Sequence, residues 1–144
     1  MPEDKAGIIR EYEKAKADMN LEKAFSYLTD DVVLVTPNGP YKNKEAIKSF
    51  LTNMAKYLKD TKVTETGNGI IVQGDKAFFE RIISGTFRGQ QYKVLTVGMY
   101  EFSGNKIKAI RDVGDRLLVA QQAAKGWLPR TMINMIVKQM EKNK

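Results

Sequence analysis

Between Ala6 and Met19 the apolar residues Ile9, Tyr12, Ala15 and Met19 recur at three- and four-residue spacing, which predicts a helix with one buried stripe. A short second helix is expected after Asn20, a plausible N-cap, with Leu21, Ala24, Phe25 and Leu28 on its buried side. The pattern then changes period. "TDDVVLVTPNGPYKN" is a short β-branched run stopped by a Pro-Asn-Gly-Pro turn. Asn43 can cap a third helix, where Ile47, Phe50, Leu51, Met54 and Leu58 draw one apolar stripe.

Four strand-like stretches follow: Lys62–Val72, Lys76–Arg88, Gln90–Phe102 and Lys106–Gly114. Their separators "QGD", "RGQ" and "SGN" are compact turn signals, so antiparallel hairpins are predicted. "GNG" at 67–69 predicts a bulge or bend in a strongly curved strand. Helices first and a curled meander afterwards give an α+β fold. Residues 116–144 form a helical extension, broken near "GWLPR" by Gly126 and Pro129. Met132, Ile133, Met135, Ile136, Val137 and Met140 make its last segment apolar around much of its circumference, and it should be buried against the sheet or a second subunit. Trp127 and Leu128 belong to the same core or dimer contact.

The chain has 144 residues, enough for a single domain, 1–144, with one core. No apolar stretch is long enough to cross a bilayer, and the charged N-terminus lacks a signal core, so a cytoplasmic protein with no membrane partner is expected. A net charge of +7 raises the question of nucleic acid, but the lysines are scattered and not interleaved with aromatics, so none is expected as a partner. Cysteine and histidine are both absent. Disulfides, thiolate nucleophiles and the two commonest metal ligands are thereby excluded, and any proton transfer must use Asp, Glu, Tyr or Lys. No metal site and no cofactor are expected.

In "IKAIRDVGD" strand alternation puts Ile110 and Asp112 on one face and Ile107, Ala109 and Arg111 on the other. In "FFERII" Phe79, Arg81 and Ile83 share a face, and Glu80 points the other way. If those faces look into a common cavity, Asp112 and Arg81 should pair, because a lone buried charge costs several kcal/mol. Such a pair reads two ways: an acid/base device, or an ion pair that fixes strand register. Arg111, Asp115 and Arg116 are expected to face outward.

The order of elements, with "LTDDVVLVTP…GPYKNKEAIKSFL" in front and "YEFSGNKIKAIRDVGD" behind, resembles the SnoaL-like, ketosteroid-isomerase-like superfamily over roughly residues 5 to 118. Within it the chain is most similar to limonene-1,2-epoxide hydrolases. The resemblance implies a cystatin-like cone, a curved antiparallel sheet wrapped around the N-terminal helices with an apolar pocket at one end. It places Glu80 and Arg81 on that family's Glu-Arg motif and Ile110, Arg111 and Asp112 on its Trp-Arg-Asp, so that Arg81 and Asp112 take triad positions. Ile83 stands where the second triad aspartate would be, and Leu34 and Thr36 where the water-holding tyrosine and asparagine would be. Thr36 and Gly98 stand at the two aspartate positions of ketosteroid isomerases, and Tyr12 lies near their oxyanion-stabilising tyrosine.

The expected catalytic residues are therefore Asp112, Arg81 and Tyr12. Thr36, Leu34, Phe79, Ile83, Ile110, Phe50 and Met54 are the expected ligand-binding wall. The function expected is cofactor-free acid/base chemistry (isomerase, cyclase or epoxide-opening) on a small apolar oxygenated molecule. A non-catalytic binder of a small hydrophobic ligand and a purely structural dimerisation module are the alternatives. A homodimer is expected through the outer sheet face, with Ile107, Ala109, Val94 or Leu95, and the tail methionines.

Overall fold

The computed structural model describes residues 4–37, 39–124 and 127–142. Asp4 caps α1 (Lys5–Ala17), and Asn20 caps α2 (Leu21–Ser26) by accepting from Lys23 N. A hairpin of β1 (Leu28–Thr36) and β2 (Gly39–Lys42) leads into α3 (Lys44–Met54). Asn43 caps α3 through Ala46 N, as its side chain predicted. Leu58, expected on that helix, instead opens β3 (Leu58–Gln73). The meander continues through β4 (Lys76–Phe87), β5 (Gln90–Ser103) and β6 (Lys106–Gly114). Gly74, Gly89 and Gly104 take positive φ at its three turns, where a side chain would strain the backbone.

The six strands form one curved, unclosed sheet in the order β2-β1-β6-β5-β4-β3. Its pairings are antiparallel except one: β1 runs parallel to β6, which closes the two ends of the chain segment on each other. The long β3 carries two register shifts, one between Glu65 and Ile70 where Gly67 and Gly69 sit at φ 57° and 64°. These bend the strand so that the sheet wraps around its helices.

The concave face and the helices enclose a core of Ile9, Tyr12, Ala24, Leu28, Val32, Ile47, Phe79, Tyr100, Phe102, Ile107 and Ile110. Ile107 corrects the alternation argument. A register shift between Ala109 and Ile107, opposite Glu101 and Phe102, places one extra residue in β6. Both Ile107 and Ile110 therefore turn inward, and Ile107 is unavailable to an outer interface. Val94 is likewise buried, whereas Leu95 is exposed.

The extension folds as α4 (Arg116–Ala123), capped by Asp115, and α5 (Trp127–Lys142). Pro129 lies within the first turn of α5, where a missing N–H costs nothing. Gly126 lies outside the described residues, as do the side chains of Trp127, Leu128, Val137 and Met140. Gln122 of α4 docks on β5 like a strand partner, accepting from Lys93 N at 2.7 Å and donating to Lys93 O at 3.1 Å. β6 pairs with β5 only from Thr96 onward, so this amide satisfies an edge that the sheet leaves open. Met132, Met135 and Ile136 are not buried by the chain itself; they are 59%, 64% and 51% exposed.

Candidate functional site

Arg81 decides the geometry. It is fully buried on β4, between Phe79 and Ile83, and its guanidinium lies across the β5 backbone at Gly98. Nη2 donates to Asp112 Oδ1 at 2.9 Å and lies 3.7 Å from Glu13 Oε1. Nη1 donates to the Phe79 carbonyl at 3.3 Å, and the Phe79 ring sits 5.3 Å away. Gly98 makes this route possible: a Cβ there would come within 2.7 Å of Nη1 and of the Tyr100 hydroxyl. Asp112 is held on β6 directly opposite Gly98, and its side chain is 33% exposed.

Glu13 completes the cluster from α1. The hydroxyl of Tyr100 donates to Glu13 Oε1 at 2.6 Å. Lys16, one helical turn on, donates to the same oxygen at 3.0 Å and lies 2.9 Å from Oε2. Oε2 itself is buried and accepts no well-aligned hydrogen bond. Two carboxylates and two cations are thus gathered between α1 and the sheet. Burial opposes the charge of Arg81, but the attraction of Glu13 and Asp112 outweighs it and holds the guanidinium charged. Burial likewise disfavours the Lys16 ammonium, yet Glu13 beside it raises the Lys16 pKa above its ordinary value. Burial, and after it the Glu13 charge, push the Tyr100 phenol well up. Tyr12 is buried with Lys16 5.2 Å over its ring, and burial also raises its pKa, keeping its hydroxyl a neutral donor.

Beside the cluster lies a cavity of about 330 Å³. Glu13 and Lys16 form its polar end, and Leu51, Met54, Leu58, Val63, Ile83 and Tyr92 its apolar wall. It opens at a rim of exposed Asp18, Met19, Lys59 and Asp60.

The structure therefore brings Arg81 and Asp112 together, and it adds Glu13, Lys16 and Tyr100, which the sequence reading passed over. Tyr12 adjoins Lys16 in the same helix stripe. Ile83 and Met54 line the cavity. Leu34, Phe79 and Ile110 lie in the packed core, Phe50 stacks on Tyr41 at 4.5 Å between ring centres, and the Thr36 hydroxyl donates to Gly39 O in the β1–β2 turn. Arg111 is exposed, and Glu80 is half-buried. Among the described residues no group of three or more Asp or Glu side chains could hold a metal ion.

The sequence matches the SnoaL-like domain profile over residues 9–110. The chain belongs to the SnoaL-like domain family. Solved structures agree on the cone. A protein of ketosteroid isomerase-like fold from Catenulispora acidiphila, solved with trimethylamine, is 18% identical with a TM-score of 0.73, covering 81% of this chain and 91% of its own. TerC, co-crystallised with polyporic acid, is 20% identical with a TM-score of 0.74 over 83% of this chain and 97% of its own. A candidate SnoaL-like polyketide cyclase from Shewanella denitrificans is 13% identical at a TM-score of 0.74, covering 82% of this chain and 95% of its own. At such identities these neighbours establish the fold alone. No curated protein matches the sequence. No helix among the described residues is long and apolar enough to cross a membrane.

Proposed function

We propose that this SnoaL-like domain is a cofactor-free acid/base enzyme for a small, mostly apolar, oxygenated molecule held against the Arg81 cluster. One observation carries the reading: a buried arginine is shared between two carboxylates beside an apolar cavity. A charge cluster kept only for strand register would need one carboxylate, and would gain nothing from a cavity at its edge. Asp112 accepts from a single cation and is one-third exposed, outside the lining of the 330 Å³ cavity, so of the two carboxylates it is the one open to proton exchange. Arg81 orients it and offsets the negative charge that develops when a proton leaves carbon or an oxygen leaves an epoxide. Glu13, fixed by Tyr100, Lys16 and Arg81, holds that arginine in place from the other side. Tyr12, buried beside Lys16 and outside the cavity lining, packs the cluster from α1.

Within that class, isomerisation or cyclisation fits the wall better than hydrolysis. Ile83 stands where the resemblance to limonene-1,2-epoxide hydrolases would put a second triad acid, Leu34 packs in the core, and the Thr36 hydroxyl donates to Gly39 O. The exposed outer sheet face supports a homodimer. The solved neighbours with trimethylamine and polyporic acid lend the small-molecule reading support from fold alone.

Asp112→Asn tests the proposal directly. Screened against enones, aromatic polyketone mimics and epoxides by mass spectrometry, it should abolish any turnover shown by the native protein and leave ligand affinity within about twofold. Native protein that binds such molecules and converts none of them would make the chain a non-catalytic binder of small hydrophobic ligands.

A further inference from the structure

The family profile ends at residue 110, and the helical tail beyond it has a chemistry of its own. From Arg116 to Lys144 the sequence holds six basic residues and one acid, Glu141, so +5 of the chain's net +7 belongs to this segment. The same segment leaves Met132, Met135 and Ile136 exposed. At 3.6 residues per turn these three fall within an arc of about 100° on one side of α5. Gln139 continues the arc, and the exposed Lys138 and Lys142, one turn apart, run along its border. The opposite side of α5 is engaged. Asn134 accepts from Gln121 of α4, and α4 is held on β5 by Gln122.

A stripe of this kind calls for a partner that is both apolar and negatively charged. A second copy would bring five more positive charges against the first five, so self-association through α5 works against electrostatics. A nucleic-acid duplex matches the charge but turns phosphate and sugar toward the methionines. A peptide-binding groove encloses most of a helix, whereas α5 can present only the side that α4 leaves free. A bilayer surface carrying anionic lipid offers both chemistries, and a plane takes one side of a helix. Methionine, unbranched and adaptable, suits a fluid partner without fixed pockets. The lack of a crossing segment, which led to the expectation of no membrane partner, does not bear on a helix that lies on the surface.

We propose that α5 is an interfacial anchor that docks this domain on membranes carrying anionic lipid. Met132, Met135 and Ile136 enter the headgroup layer, and Lys138 and Lys142 meet the lipid charge. The acid/base reading is independent of this docking and survives its failure.

The experiment is co-sedimentation of the full chain with two kinds of vesicle, pure phosphatidylcholine and phosphatidylcholine with phosphatidylserine at roughly one lipid in three. Partitioning should favour the anionic vesicles by about tenfold or more at low salt, and most of that preference should vanish in roughly half-molar salt. Lys138→Gln with Lys142→Gln should weaken binding about tenfold or more, since each basic residue near the surface contributes roughly fivefold. Met135→Gln with Ile136→Gln should weaken it by at least about tenfold through lost apolar contact. All four positions are exposed, so thermal unfolding should not move, and the lipid and salt comparisons on the native protein stand whatever the variants do. Equal binding to both vesicle types, binding to neither, or binding indifferent to the Met135 and Ile136 pair overturns the proposal. Binding to a DNA duplex or to polyglutamate without binding to vesicles assigns the tail to another anion and overturns it. So does a doubled mass in light scattering that Met135→Gln with Ile136→Gln returns to one chain, which assigns the stripe to a second copy.

Discussion

The Tyr100 hydroxyl and Glu13 Oε1, 87 positions apart in the chain, meet at 2.6 Å and tie the first helix to the middle of the sheet. Both groups are almost wholly buried, so neither has water as an alternative partner. Tyr100→Phe removes the donor and leaves Glu13 Oε1 to Lys16 and a looser Arg81. The variant should lose about 1.5–3 kcal/mol of stability, the usual contribution of a hydrogen bond to a charged group. Urea unfolding checks this: the midpoint should fall with an unchanged slope, and an unmoved midpoint would show that the bond contributes nothing.

The sequence makes Arg81 and Asp112 legible because strand period is strict: one inward apolar neighbour on each side fixes where a charge must point. Glu13 escapes the same logic, since a glutamate on a helix reads as solvated by default. Its signal was its place in the stripe, four residues after Ile9 and beside Tyr12, with Lys16 three further on. Ile107 was misplaced because a bulge leaves no local mark in "NKIKAI", and the parallel pairing of β1 with β6 depends on contacts that no window of sequence contains. The tail's apolar residues signalled that they need a partner, but not which one.

Arg81 and Asp112 should respond unequally to removal. Arg81→Met strips the shared cation from two carboxylates at once, one of them almost fully buried, and such a loss costs about 3–5 kcal/mol. Asp112→Asn acts at a group that keeps partial contact with water, so about 1 kcal/mol or less is expected. Thermal unfolding of the two variants side by side tests the ordering. Equal losses would mean that Glu13 does not depend on Arg81.

Gly98 is needed for its lack of a side chain rather than for its backbone angles. The added methyl of Gly98→Ala would press on Arg81 Nη1 and the Tyr100 ring edge, both buried and both already committed to carboxylates. Overpacking of this kind costs about 1–3 kcal/mol. It should also break the Arg81–Asp112 contact, so any turnover should fall as it does in Asp112→Asn. A variant that keeps native stability would show that the guanidinium can move aside freely.

Stability should fall on the alkaline side. Burial raises the pKa of Tyr12, Tyr92 and Tyr100 in the folded state, and Glu13 raises that of Lys16 against its burial. Each group binds its proton more tightly folded than unfolded. Their contribution is complete below the unfolded values, about 10 for tyrosine and lysine, and is lost as the pH rises beyond them. Urea midpoints should therefore hold up to about pH 9 and decline above pH 10. Tyrosinate absorbance at pH 11 should be lower in the folded protein than in urea, although the chain has six tyrosines in both. Equal absorbance would mean that the buried phenols titrate freely.

The outer face of the sheet carries the last expectation. Ile82 pairs with Leu95 and Val97 with Val113, so four apolar side chains share one convex patch, and Leu95 and Val113 are 54% and 55% exposed. Phe78 and Met99, paired further along, extend it. A contiguous apolar surface on a sheet is costly to leave in water, and a two-fold partner would cover it with the same residues from a second copy. Light scattering should therefore give twice the chain mass. Leu95→Glu with Val113→Glu puts like charges where the two copies would meet, and should yield a folded monomer with unchanged far-ultraviolet circular dichroism. A doubled mass that survives both substitutions would move the interface to the exposed Met132, Met135 and Ile136 stripe of α5.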